Sequence, residues 1–232
     1  MLKTASIDRV SVAEQAYQTL RNAILSGDIA QGERIVELQI AKSLGISRAP
    51  VREATNRLLQ EGLVESKTHF GSSVISMTPE KMHYLYEVRV AIETVAIRHL
   101  AHQASGADVA LLEGVVQEMR RAASKRQLAG VVESELRFHE VLRERSGNPY
   151  VMHVGKLIDA QVRMALTIDN MRYDNLRDVA DEHLPLIEAI KQGDAQKAEK
   201  LLAIHILASL PRLSTAAPAE SGTGARKGAK KA

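Results

Sequence analysis

Along the first third of the chain, apolar residues return at helical intervals. Val12, Ala16, Leu20 and Ile24 recur every four positions, which predicts an amphipathic helix that stops at Ser26-Gly27-Asp28. After the loop 29–34, Leu38, Ala41 and Leu44 share one side of a second helix, closed by Gly45. Ser47 then stands at an N-cap position. Pro50 falls in the first turn of a third helix, where its missing N–H removes no hydrogen bond. Val51, Ala54, Leu58 and Leu59 form the inner face of that helix. Beyond it two apolar pairs, Leu63-Val64 and Val74-Ile75, flank a polar centre containing Gly71, the pattern of a small β-hairpin.

Thr78-Pro79 couples a capping side chain to a helix-starting proline and sets the boundary between residues 8–78 and 79–212. From there the period is helical throughout. Helices are expected at 79–103, 107–126, 129–146, 149–171, 175–192 and 195–212, punctuated by cap and turn residues such as Asn148-Pro149. No segment alternates as a strand. The fold class is therefore mainly α: an N-terminal winged helix-turn-helix with a β-hairpin wing, then an antiparallel α-helical bundle. Residues 213–232 are small, polar and basic, and are expected to be a disordered tail.

Composition narrows the chemistry. With no Cys among 232 residues, disulfides, thiolate metal sites and cysteine nucleophiles are excluded, and a reducing cytoplasm suits the chain. No apolar run approaches the ~18 residues of a membrane span, and the first residues lack a secretory apolar core. The expectation is a cytoplasmic protein with no membrane partner. The net charge of +3 is unevenly placed. Residues 1–78 hold nine Lys/Arg against eight Asp/Glu, residues 79–211 hold 17 against 19, and residues 212–232 hold five against one. The tail therefore dominates the basic balance, and a case for nucleic-acid binding has to rest on where the arginines stand.

Their placement makes that case. Arg48 and Arg52 lie one turn apart at the leading end of the third helix, off its apolar face. A recognition helix enters the major groove with that end foremost, where Arg reaches guanine or phosphate. Ser47 at the cap is a further candidate, Thr55 and Asn56 lie further along the exposed surface, and Arg57 is far enough back to act as support.

The string from Glu14 to Val64, with "GER", "E..IA..LG.SR.PVREA" and "L..EGLV" as its marks, resembles the DNA-binding domain of the GntR family of bacterial transcription regulators. The resemblance covers residues 12–78. It implies DNA contacts from Arg34, Arg48, Arg52 and the wing. That family often carries Arg-Gly at the wing tip, whereas Phe70-Gly71 stands here, so wing contact falls to Lys67, His69 and Gly71.

In the helical half, Glu135 and His139 are four apart on one helix and point the same way. His183 and His205 fall in two later helices, which a bundle can bring to the same point. One carboxylate and three imidazoles suit Zn or Ni first, with Mn or Fe as alternatives. Each histidine alone also reads as an ordinary core or surface residue. Residues 80–210 are similar to the helical effector domain of the FadR-like subgroup, through "YEVRVAIETVAIRHLA", "FHEVLRERSGNPY" and "EHLPLIEAIKQGDAQKAEKLLAIHI". In many of its members an Asp-x-x-x-His pair and two later histidines bind a divalent metal beneath a ligand cavity. The histidines match His139, His183 and His205, and Glu135 stands where Asp is usual. Arg89 and Arg163 are candidates to pair with a small organic acid effector. The competing expectation is intrahelical pairing, for example of Arg89 with Glu93.

The reading that follows is a ligand-responsive DNA-binding regulator, by default a repressor, acting as a homodimer on a pseudo-palindromic double-stranded operator. The alternative is a metal-dependent enzyme using the histidine cluster, for which no acid, base or open coordination position is identified.

Overall fold

The computed structural model describes residues 10–67, 71–208 and 210. His69, Phe70 and the expected tail at 213–232 lie outside the described residues, as does the side chain of Lys67.

The N-terminal part is built from α1 (Val12–Ser26), β1 (Arg34–Ile35), α2 (Glu37–Leu44), α3 (Arg48–Gln60), β2 (Val64–Lys67) and β3 (Gly71–Val74). Ser11 caps α1 by accepting the Glu14 N–H, and Gly27 ends it at φ 86°, a left-handed conformation that favours glycine. Gly45 at φ 67° does the same between α2 and α3. Ala16, Leu20 and Ile24 of α1 meet Val51, Ala54 and Leu58 of α3, and α1 packs chiefly against α3.

Two details depart from the sequence pattern. α2 buries only Ala41; Leu38 and Leu44 are exposed. Ile40 packs against the core only in part, so the apolar stripe of α2 is only partly used. The hairpin also gains a third strand. β1 pairs antiparallel with β3, giving the order β1-β3-β2, with Arg34 opposite Ser73. Two residues carry too little period for a strand to be legible.

The rest is helical: α4 (Pro79–Gln103), α5 (Gly106–Ser124), α6 (Leu128–Arg145), α7 (Pro149–Asn170), α8 (Leu176–Asp181), α9 (Leu184–Lys191) and α10 (Ala195–Leu207). Thr78 caps α4 and Asn148 caps α7, each with proline in the first turn. α4 runs through the middle, against α10, α7, α6 and α9. With so few aromatics, Leu, Ile, Val, Ala and Met fill the core around Tyr86 and Phe138. No described helix is long and apolar enough to cross a membrane.

The helix expected at 175–192 is broken at Glu182-His183 into α8 and α9. Pro185 explains the break, because it offers no N–H to the carbonyl four residues back and fits only in the first turn of a new helix. The His183 ring takes up part of the slack, its Nδ1 lying 2.8 Å from the Val179 carbonyl. The break therefore also aims a histidine inward.

Leu58 is wholly buried between α1 and α3. Leu58→Ala should cost about 2–5 kcal/mol through lost burial and a residual cavity, whereas exposed Leu38→Ala should stay within about 0.5 kcal/mol. Thermal unfolding midpoints of the two variants beside the parent protein check this.

Candidate functional site

Two sites emerge, one in the N-terminal unit and one in the helical bundle. At the first, α3 presents Arg48 and Arg52 to solvent, with Ala49 between them and Glu37 of α2 alongside. Arg48 keeps two-thirds of its side-chain exposure and approaches Glu37 only at 3.7 Å, a contact too loose to immobilise it. Ser47 precedes it, exposed, with its side chain making no capping bond. Arg34, on β1, lays its guanidinium across the wing, such that a Cβ placed at Gly71 would lie 3.5 Å from Arg34 Nη2. Gly71 itself, at φ 78°, starts β3. Arg34, Gly71 and the Arg48–Arg52 pair thus belong to one small three-helix and sheet unit.

Thr55 departs from expectation. It is 2% exposed, and its hydroxyl donates to the Val51 carbonyl at 2.9 Å. Four residues place it only about 40° round the helix from Val51, so it faces the core and offers nothing to a groove. Arg57 is fully engaged elsewhere. It pairs with Glu14, and its guanidinium lies 3.7 Å from the centroid of the Tyr17 ring. Tyr17 donates to Glu61, which also accepts from Arg21 at 2.8 Å. This network ties α1 to the back of α3, and so orients the front.

The second site is buried in the bundle. Ligand atoms of Glu135, His139, His183 and His205 all lie within 4.8 Å of one another. α6 supplies the first two, the α8–α9 break the third, and α10 the last. The imidazoles face each other, with ring centroids 4.4 to 5.6 Å apart, and Phe138 packs edge-on against His139 and His183.

Each group is held from behind. Asn170 donates to Glu135 Oε2 at 2.8 Å, Glu93 accepts from His139 Nδ1, and Val179 accepts from His183 Nδ1. His205 Nδ1 stands 3.9 Å from Glu182. His139 Nε2 and His183 Nε2 are buried with no hydrogen-bond partner. A buried orphan nitrogen costs about 1–3 kcal/mol, and two aimed into one carboxylate-containing cluster fit a divalent cation, which would satisfy both.

Electrostatics point the same way. Burial, and then the Arg89 charge, lowers the His139 pKa to about 4. Burial, and then His139, lowers that of His183 to about 3. Both rings are thus neutral at physiological pH, the state a metal requires. Burial raises Glu135 to about 7, against the pull of Arg89 and Asn170. Without a cation, its charge is the unstable element of the cluster.

The two arginines named with this site are separated. Arg89 reaches it: 2% exposed, it donates from Nε to Glu93 at 3.0 Å, leaving Nη2 buried and unpaired beside Glu135. The intrahelical pairing is therefore present, yet part of the guanidinium remains available. The space it lines with Tyr86, Leu166 and His205 is about 10 Å³, room for one water. Arg163 lies elsewhere. It pairs with Glu133 and faces a cleft of about 610 Å³ between α1 and helices α6 and α7, beside Arg21. Glu93 is the site residue that spacing did not single out. Its i, i+4 relation to Arg89 was visible, but its link to His139, 46 residues away, was not.

Comparison with known proteins places both halves. Residues 84–208 match the FCD domain, and residues 12–74 match the bacterial regulatory proteins of the gntR family. The chain belongs to the GntR family of transcription regulators, in the branch whose C-terminal half is an FCD domain. It is 26% identical over 195 residues to the uncharacterized HTH-type transcriptional regulator YdhC of Bacillus subtilis (strain 168), covering 84% of this chain and 85% of that one. It is 27% identical over 205 residues to the probable D-xylose utilization operon transcriptional repressor of Paenarthrobacter nicotinovorans, covering 88% and 90%. Its fold is shared with Escherichia coli McbR/YncC at TM-score 0.71 and 20% identity, over 89% of this chain and 98% of that one. A putative GntR regulator from Rhodococcus sp. RHA1 gives 0.73 and 20%, over 88% and 98%. These families and relatives are DNA-binding regulators and not enzymes, so the enzyme alternative is set aside.

Proposed function

We propose that this regulator is a metal-loaded, acid-responsive repressor. Residues 8–78 read the operator, residues 79–212 bind metal and effector and dimerise, and residues 213–232 add a non-specific basic extension. The observation that carries the reading is the pair Arg48 and Arg52, exposed at the leading end of α3 with only a loose contact from Arg48 to Glu37, while Arg21 and Arg57 are tied into the scaffold. Repression is the favoured sense because the D-xylose relative and RspR of Escherichia coli K12 carry that description. Such a protein works in the cytoplasm, where operator DNA is.

A homodimer is supported by two neighbouring helices. α4 leaves Tyr84 and Val88 exposed, and α7, packed against it, leaves Tyr150 and Leu157 exposed. A second copy covering them would set two recognition helices against a pseudo-palindromic site of double-stranded DNA.

The test of DNA reading is a titrated gel shift on DNA flanking the coding region. Arg48→Ala and Arg52→Ala should each weaken specific binding by about 1–3 kcal/mol, or lower the salt slope by about one if the contact is to phosphate. Wild-type binding without sequence preference at moderate salt would refute the reading.

Glu135, His139, His183 and His205 are the residues that would hold Zn or Ni, with Mn or Fe as alternatives. The metal would supply a positive centre for a carboxylate effector. Arg89 Nη2 is the chain's own group for orienting that carboxylate. A cavity sized for one water means the effector enters by displacing that volume and opening the bundle locally, which gives it leverage on helix positions. Metal content should approach one per chain and vanish in His139→Ala, by elemental analysis.

Uptake must take the proton off Glu135, whose carboxyl burial pushes up to about 7. Below that pH protons compete with the metal, so affinity should fall about tenfold per unit on acidification and level off above it. Chelator competition from pH 6 to 8.5 reads the slope, and a flat profile would remove Glu135 from the ligand set.

A further inference from the structure

Three charged side chains at the centre of the bundle are outside the metal-ligand set. Glu93, Arg89 and Arg143 are 1%, 2% and 3% exposed. Glu93 stands on the buried face of α4. Its Oε1 accepts from Arg89 Nε at 3.0 Å and lies 3.8 Å from Arg143 Nη1, while its Oε2 takes His139 Nδ1 of α6. Arg143 is anchored in turn, its Nη2 donating to both oxygens of Asp159 on α7 at 2.7 and 2.9 Å. Space for that guanidinium depends on Gly155: a Cβ there would stand 2.6 Å from Arg143 Cδ.

Such an arrangement is costly. Removing an ion from water carries a penalty of several kcal/mol even after relaxation, and apolar residues of similar volume often pack at lower cost. Three features show where the charge acts. First, it meets the imidazole on the nitrogen turned away from the metal cluster. Second, by accepting from Nδ1 it fixes the tautomer in which the orphan Nε2 carries the lone pair. Third, two arginines pin the carboxylate from its other side, so the ring cannot swing without breaking ion pairs on α4, α6 and α7. His183 has only a backbone carbonyl for the same purpose.

We propose that Glu93 is the outer-sphere positioning residue of the metal centre. It orients His139 and raises its donor strength, while Arg89 and the Gly155-accommodated Arg143–Asp159 pair lock it in place. This rests on the metal reading above and adds to it a residue that touches no metal. Carboxylate–imidazole–metal relays of this kind commonly account for about 10- to 100-fold in metal affinity.

The full-length protein, loaded with Zn, Ni or Co alone, tests it by chelator competition and by the Co(II) absorption spectrum. Glu93→Gln keeps the side-chain volume and a hydrogen-bond acceptor but removes the charge. It should bind metal about 10- to 100-fold more weakly, with a shifted Co(II) spectrum and an unchanged far-UV circular dichroism. Glu93→Asp, whose charge is drawn back by one methylene, should fall between the two. If His139→Ala abolishes binding while Glu93→Gln binds as tightly as wild type with the same spectrum, the positioning role is wrong and the metal reading stands. Wild-type protein that takes up no metal overturns both. Should Glu93→Gln fail to fold, wild-type affinity in Glu93→Asp still overturns the proposal.

Discussion

A carboxylate buried among apolar side chains can persist as an anion only where cations meet it, and Glu93 imposes that condition on the whole bundle. Its neighbours come from separate helices: Arg89 from its own, Arg143 and His139 from α6, and Asp159 from α7 as counterweight to Arg143. Against the upward push of burial, the His139 ring that donates to it and the Arg89 and Arg143 charges hold the carboxyl at about 2. The depth and rotation of α4, α6 and α7 are therefore set by charge geometry as well as by apolar packing. Apolar contacts alone would tolerate small slides between helices; a network with fixed distances does not. In a core this poor in aromatics, it is a plain source of specificity.

The same principle divides labour among the arginines. A guanidinium that meets a carboxylate at close range becomes scaffold, and one left in solvent remains available. Arg57, Arg21 and Arg143 are of the first kind, holding α1 to α3 or α6 to α7. Arg48 and Arg52 are of the second. Arg89 is divided: one nitrogen serves Glu93 and another faces Glu135. The function of each follows from its partner rather than from its residue type.

The buried cluster and the cleft beside α1 share structural members. α6 and α7 carry Glu135 and Asn170 on the side facing the cluster, while Val132, Arg163 and Thr167 of the same helices line the cleft against α1. Close contact continues at the turn after α3, where a Cβ at Gly62 would meet Gln161 of α7. The same two helices thus contribute side chains to both faces.

Most helix starts, the turn glycines, the winged arrangement and the leading position of Arg48 and Arg52 were legible along the chain, since caps, prolines and apolar period act over a few residues, though the break between α8 and α9 was not. The i, i+4 relation of Glu135 to His139 was equally local. The convergence of His183 and His205 on that pair followed from resemblance, and spacing alone left it open. Tertiary structure decided the rest. It turned Thr55 inward, used little of α2's stripe, drew β1 into the sheet through a partner 39 residues away, and parted Arg163 from Arg89. It also joined Glu93 to His139. Local order depends on neighbours in sequence, which the chain states directly. Which charges meet in a core depends on how whole helices are rotated and stacked, and no single stretch of residues states that.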